Sequence, residues 1–271
     1  MQYNFEIEIP QFLILDEDKK HNKIDFDLLY NRIIIGCVGF ARSGKDSIAK
    51  IFVDDYGYTR LAFADIVKKE MNLHLKESVF TDLKKKGIIN FKNYSEIDFL
   101  TEVTDIKKIL RPYIIWYAET LRTINGQFYW INKAFFYVDK NVEKIIISDV
   151  RRLPELDIFK DSNSFLSRTQ KSLSLGGFFS NEAKYNVKPY NSLLFYVNQY
   201  GLTDEDSLTK ETILNAQENW LFDDTFYVDS RIPEKGVFRK KALETQVKEV
   251  SNKFNINKPD KTISKRQLKM F

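Results

Sequence analysis

A single cysteine, Cys37, is found in 271 residues. No disulfide framework is possible within one chain, and a reducing compartment is expected. Histidine is almost as scarce: His21 and His74 have no ligand-like neighbours in sequence, so no His-based metal cluster and no Ser-His-Asp arrangement is expected. No apolar stretch approaches the roughly 20 residues that span a bilayer. The opening MQYNFEIEIPQFLILDEDKK has no basic start followed by an apolar core, which argues against a secretory signal. These absences predict a cytoplasmic protein with no membrane partner. Glycine is also sparse, at ten residues, while Asn, Lys, Ile, Phe and Tyr are abundant. That bias is common in AT-rich genomes and carries no chemistry.

What is present suits a packed enzyme-sized chain. Hydrophobic residues make up 43% and charged residues 30%, enough for both a core and a solvated surface. The length fits one large domain, or one domain with an extension. A net charge of +4 suits a small anionic substrate and is too weak to argue for nucleic acid.

Along the chain, residues 1–31 read as an accessory hairpin or arm, with short apolar pieces at Phe5–Ile9 and Phe12–Leu15. The run Ile33, Ile34, Ile35, Cys37, Val38 reads as a strand buried on both faces. Ile48, Ile51 and Phe52 then recur at helical spacing over Ser47–Asp55. Further expectations are a strand at Thr59–Phe63, a helix at Ile66–Leu75, and a polar, irregular mobile lobe over 76–100. Helices follow at Ile106–Thr123, kinked or started by Pro112, and at Phe128–Val138. A buried strand covers Lys144–Val150, and Pro154 opens a helix through Phe159. Residues 161–190 read as an insertion. Strands at Leu193–Val197 and Thr225–Val228 and helices at Thr209–Leu221 and Lys240–Phe254 complete the pattern, leaving a basic tail over 255–271. Strands alternating with helices imply an α/β fold with a parallel sheet covered on both faces.

Three constellations carry chemistry. The first is Gly39-Phe40-Ala41-Arg42-Ser43-Gly44-Lys45-Asp46-Ser47, between the first buried strand and its helix. Two glycines let backbone N–H groups curl around phosphate oxygens, the helix N-terminus adds its dipole, and Lys45 can reach terminal phosphates. Asp46 stands where a strict P-loop has a hydroxyl, and Ser47 follows it. The second is Ser148-Asp149-Val150-Arg151-Arg152, at the C-terminal end of a buried strand, where ligands bind in open α/β sheets. Asp149 could hold Mg²⁺ or orient a substrate, and the arginines could pair with phosphates. A helix-capping Asp with solvated arginines is the plainer alternative. The third is Glu119-Thr120-Leu121-Arg122 followed by Tyr129-Trp130, where Arg122 would suit a second anion. Trp116, Tyr117 and Trp130 read more readily as core than as base-stacking rings. Lys84-Lys85-Lys86 reads as a solvated face.

The loop, with Asp46 after Lys45, resembles that of the phage deoxynucleoside monophosphate kinases. Phe63-Ala64-Asp65 with Lys68, Ala118-Glu119-Thr120-Leu121-Arg122 through Trp130, and Ser148-Asp149-Val150-Arg151 are similar to the elements that follow it there. The resemblance runs from residue 32 to about 160 and more faintly over 192–254. The loop and the Asp149–Arg152 strand end also resemble animal-type phosphomevalonate kinases. Ala118 in place of glycine, the N-terminal arm and the insertion depart from the pattern. So does the lid expected near 198–214, whose only basic residue is Lys210. Arg168 or Lys171 would have to supply what it lacks.

The resemblance implies a P-loop kinase domain over 32–254, three-layer α/β/α with a five-stranded parallel sheet, using ATP and Mg²⁺ on a small phosphorylated acceptor. In host cytoplasm, if phage-encoded, that acceptor would be a deoxynucleoside monophosphate. It implies that Gly39, Ser43, Gly44, Lys45, Asp46 and Ser47 bind nucleotide, with Asp46, Ser47 and Asp149 at the metal. Lys45, Arg42, Asp149 and Arg151 would act in catalysis, and Asp65, Lys68, Glu119, Arg122, Trp130, Arg151 and Arg152 would bind the acceptor. No nucleic-acid partner is expected, and a homodimer is left open. Phosphomevalonate phosphorylation and a nucleotide-binding component without turnover remain as alternatives.

Overall fold

The computed structural model describes Phe5 and residues 7–88, 96–160, 191–199, 207–219, 221–228 and 237–258. The chain divides into two compact units. Met1–Ile24 joins Ala62–Tyr137 in a helical unit, and Asp25–Leu61 joins Val138–Phe271 in a sheet unit. Among the described residues, no helix is long and apolar enough to cross a membrane.

The sheet unit has the expected α/β class: five parallel strands in the order β2-β3-β1-β4-β5. They are β1 (Ile33–Val38), β2 (Thr59–Leu61), β3 (Lys144–Val150), β4 (Asn191–Gln199) and β5 (Asp224–Val228). β1 is central because its side chains suit neither face to water: Ile34, Ile35, Cys37 and Val38 are all fully buried. Each large side chain of this kind contributes about 1.5–3 kcal/mol on burial.

Helices cover both faces. Ile35, Cys37, Ile146, Phe195 and Phe226 pack against Ile48, Phe52 and Tyr56 of α1 (Lys45–Tyr56) on one side. Leu243 and Val247 of the C-terminal helix Val237–Lys253 complete that layer. On the other side the Phe159 ring of Leu153–Lys160 lies over Gly36, and Ser192 Oγ donates to Ile158 O. The crossovers from β1 and β4 leave in opposite directions, so the strand order reverses at their carboxyl ends, where open α/β sheets bind ligands.

The helical unit contains α2 (Phe63–His74), α3 (Lys76–Lys85), α4 (Thr104–Asn125) and α5 (Tyr129–Phe136). Among the described residues the sheet unit also contains the helices α6 (Leu153–Lys160), α7 (Ser207–Glu218) and α8 (Val237–Lys253).

Several expectations need correction. The strand foreseen to Phe63 stops at Leu61, because Phe63 already begins α2. The described start of the polar lobe is helix, not irregular chain. α3 buries Val79, Asp82 and Leu83 on one face and leaves its lysines outside. Pro112 lies inside α4 rather than at its start. Of residues 1–31, expected as a hairpin or arm, the described part contains 3₁₀ turns and no strand.

Residues 13–23 form a strap held by two asparagines. Asn125, fully buried at the end of α4, donates from Nδ2 to Leu13 O and accepts from Leu15 N at Oδ1, both at 2.8 Å. Its carboxamide acts as a strand partner would. His21 N donates to Asn125 O, Phe128 N donates to His21 O, and Asn132 Nδ2 donates to Lys23 O at 2.9 Å. Gly126 has φ 99°, and a β-carbon there would stand 2.5 Å from His21 O. Residues 161–190, 200–206 of the expected lid, and 259–271 of the tail lie outside the described residues. Arg168 and Lys171 fall among them.

Candidate functional site

Residues 39–44 run from the carboxyl end of β1 into the N-terminus of α1. Gly39 is pinned between β4 and the loop: a β-carbon there would stand 2.5 Å from Val197 O and 2.8 Å from Ser43 Oγ. Gly44 has φ 100°, the left-handed region that side chains disfavour, and this turn lets α1 begin at Lys45. Arg42 shares the left-handed region at φ 64° and is exposed on the loop's lip. The first amides of α1 have no carbonyl a turn earlier to bond, and the helix dipole concentrates positive charge at the same end.

Lys45 turns back into this loop. It is only 4% exposed, and its Nζ donates to Gly39 O at 2.6 Å, to Phe40 O, and to Ser43 Oγ at 3.4 Å. Burial first, and then the neighbouring Arg151 charge, bring its pKa down to about 8, against the opposing pull of Asp46, Cys37 and Asp149. Cys37 lies underneath, and burial pushes its thiol up to about 12, so it is an inert core residue.

β3 brings its acid to the same place through an irregularity. Ile33–Gly36 of β1 pair one for one with Lys144–Ile147, yet Val38 pairs with Val150. Ser148 and Asp149 together therefore oppose Cys37. Such a bulge turns a strand end and re-aims its side chains. Asp149 is 8% exposed, and the Ser148 hydroxyl is buried with no hydrogen-bond partner among the described residues. The following turn is fixed from both sides. The Glu155 carboxylate accepts from Arg151 N at 2.7 Å and from Arg152 N at 3.1 Å, the returning half of a capping box. Thr212 Oγ1 of α7 donates to Arg151 O at 2.7 Å.

Lys45, Asp46, Asp149 and Arg151 are thus brought together in the sheet unit. The Asp46 carboxylate leans toward β2 and pairs with Arg60 Nη2 at 3.0 Å. Arg60 and Thr212 were not foreseen, because nothing in their spacing ties them to the loop. Among the described residues no group of three His, Cys, Asp or Glu is arranged for a metal ion. A Mg²⁺ bound with nucleotide needs only one or two carboxylates plus phosphate oxygens, and the buried Asp149 is one carboxylate near Lys45.

Lys68, Glu119, Arg122 and Trp130 sit in the helical unit, already engaged. Lys68 pairs with Asp65 at 3.3 Å along α2. Arg122 Nη1 reaches both Glu119 oxygens, at 2.9 and 3.0 Å, one turn along α4. Trp130 is 3% exposed, and its indole N–H donates to Ala118 O at 2.9 Å, tying α5 to α4. Its ring also meets Tyr129 and Tyr117 edge-on or tilted. Trp130 therefore packs as core in this arrangement. Lys210 of the expected lid is exposed on α7.

No protein-family model matches the chain, and no curated protein matches it. Solved structures give distant likenesses. A sugar kinase from Janibacter sp. HTCC2649 is 14% identical over 83% of this chain and 95% of its own, with TM-score 0.29. Dephospho-CoA kinase from Campylobacter jejuni is 11% identical over 83% of this chain and 98% of its own, with TM-score 0.28. Similarity this slight carries no argument about substrate or chemistry.

Proposed function

We propose that the chain is an ATP-dependent phosphotransferase whose acceptor is a deoxynucleoside monophosphate. The observation that carries this reading is Lys45, buried and folded over a glycine loop that joins the central strand to α1. A lysine held by two backbone carbonyls beside an arginine is a cation stored where phosphate oxygens can replace those carbonyls.

ATP supplies the transferable phosphoryl group when bound. Catalysis of this kind is mostly positioning and charge stabilisation. Lys45 and the first amides of α1 hold the donor phosphates. Arg151, fixed through its backbone by Glu155 and Thr212, offsets charge on the phosphoryl group, and Arg42 on the loop's lip assists. Ser47, Asp46 and Asp149 would hold Mg²⁺, which would offset charge on the donor phosphates. The resemblance assigns the acceptor to Asp65, Lys68, Glu119, Arg122, Trp130, Arg151 and Arg152. Arg122, preoriented by Glu119, suits a phosphate. With its ring packed as core, Trp130 shapes that region rather than stacking openly on a base.

Phosphomevalonate is kept as a second acceptor because the Asp149-Val150-Arg151-Arg152 strand end fits that family equally well. The test is a panel of deoxy- and ribonucleoside monophosphates and phosphomevalonate, with γ-labelled ATP. Label in a deoxynucleoside diphosphate is the expected result. Label in phosphomevalonate alone moves the assignment to that acceptor. ATP binding with no transfer to any acceptor replaces the enzyme reading with a nucleotide-binding component.

A further inference from the structure

The end of the loop that would receive a phosphate carries an acid as well as a lysine. Asp46 is the second residue of α1, directly after Lys45. The first amides of a helix have no carbonyl a turn earlier to bond, and the dipole there favours carboxylates and phosphates alike. The Asp46 charge also acts on the Lys45 amine. The start of α1 therefore carries, on its own chain, a competitor for any phosphate that approaches it.

Arg60 draws that competitor aside. It is the middle residue of β2, in register with Ile146 of β3, so the sheet anchors it independently of the loop. Its Nη2 donates to Asp46 Oδ1 at 3.0 Å. Lys45 turns the other way and donates to Gly39 O, Phe40 O and Ser43 Oγ. Acid and amine thus have separate partners, and neither neutralises the other by direct contact. The side chains of Arg60 and Asp46 are 39% and 78% exposed, and pairs so placed add little to stability. What this pair does is fix the direction of the carboxylate.

We infer that Arg60 is a positioning residue for phosphate binding: it holds the Asp46 carboxylate toward β2 and so keeps the start of α1 open to an anion. This rests on the reading of the loop as a nucleotide site. Released from Arg60, the carboxylate swings back to the α1 amides and the Lys45 amine and competes with phosphate. A direct attraction of nucleotide by Arg60 differs in kind. It is screened beyond about 8 Å at physiological salt, and it does not depend on Asp46.

The experiment is calorimetric titration of ADP into wild-type protein, Arg60→Gln, Asp46→Asn and the double variant, with the melting temperature of each. EDTA is present throughout, because Asp46 is also among the residues proposed for Mg²⁺. Arg60→Gln should weaken ADP fivefold or more. Asp46→Asn should bind ADP at least as tightly as wild type, and the double variant should match Asp46→Asn within twofold. That suppression is a coupling between the two residues, which a merely structural role for Arg60 would not produce. Arg60→Lys, which keeps the pairing charge, should recover most of the loss. If Arg60→Gln binds ADP within twofold of wild type, the inference is overturned. It is equally overturned if the loss persists in the Asp46→Asn background, since Arg60 then acts without Asp46. Should Arg60→Gln not fold, Arg60→Met takes its place with the same expectations. Wild-type protein that binds no ADP would defeat the nucleotide-site reading itself, a result distinct from any of these.

Discussion

In the sheet unit Lys45, Asp149 and Arg151 are placed through the backbone, whereas in the helical unit the charged groups are placed by other side chains. Lys45 is held by two loop carbonyls, Asp149 by a bulge, and Arg151 by bonds to its own N–H and C=O. Arg122 and Lys68 are each held by an acid one helical turn away, and even the N-terminal strap hangs on carboxamides. Backbone-built sites are rigid and tolerate little change in shape. Side-chain-built ones can be rearranged by one substitution, which would suit the acceptor-binding role proposed for that unit.

The sharpest break between the two should come from Lys45→Ala. Transfer should fall by about 10²–10³-fold, the loss typical of removing one charge-stabilising donor, while the protein stays folded. Wild-type turnover in that variant would end the catalytic assignment.

Asn125→Ala should act in the opposite sense, on stability. It leaves Leu13 O and Leu15 N without their partner, at about 1–3 kcal/mol, measurable by urea unfolding. Hydrogen exchange at Leu15 and His21 should quicken, and unchanged exchange would show that the strap is held otherwise.

The next effect is a pH dependence. Lys45 titrates near 8 in the folded protein against an ordinary value of 10.5. Bound phosphate favours its charged form, so nucleotide affinity should be flat below pH 8 and weaken up to tenfold per unit above it. Lys45→Arg should flatten that profile. The nucleotide-free protein behaves inversely. Between pH 8 and 10.5 the unfolded chain holds the proton that the folded one has released, so this group adds stability as pH rises. A binding profile that is flat to pH 10 would contradict the shifted lysine.

The smallest effect belongs to Asp46. Its carboxylate is largely exposed, as is part of Arg60, and such pairs contribute about 0–1 kcal/mol. Asp46→Asn should leave the melting temperature almost unchanged. A marked loss of stability would show the pair to be structural.

The same contrast governs what could be read from sequence. Ile33–Val38 announces a strand buried on both faces, and glycines at 39 and 44 announce the loop, because local chemistry dictates both. α3 was missed because Lys76–Lys85 buries only Val79, Asp82 and Leu83, too few apolar positions to show a period. The attachment of the strap was not legible because its partners, Asn125 and Asn132, are more than a hundred residues away, and no local pattern records them. Arg60 reaches the loop by tertiary packing alone. Trp130 was legible both ways, and its bond to Ala118 O places it in the core.

The bulge in β3 has an evolutionary reach as well. Side chains along a strand alternate between two faces, so one surplus residue reverses their parity from there onward. Ile146 packs beside Ile35 against α1 and α8, whereas Val150, four places on, pairs with Val38 on the other face. Removing or adding a single residue at Ser148 would flip everything after it, carrying the Asp149–Arg151 end to the wrong side of the sheet. This strand end can therefore change length only in steps of two, and its chemistry is protected by counting as much as by contact.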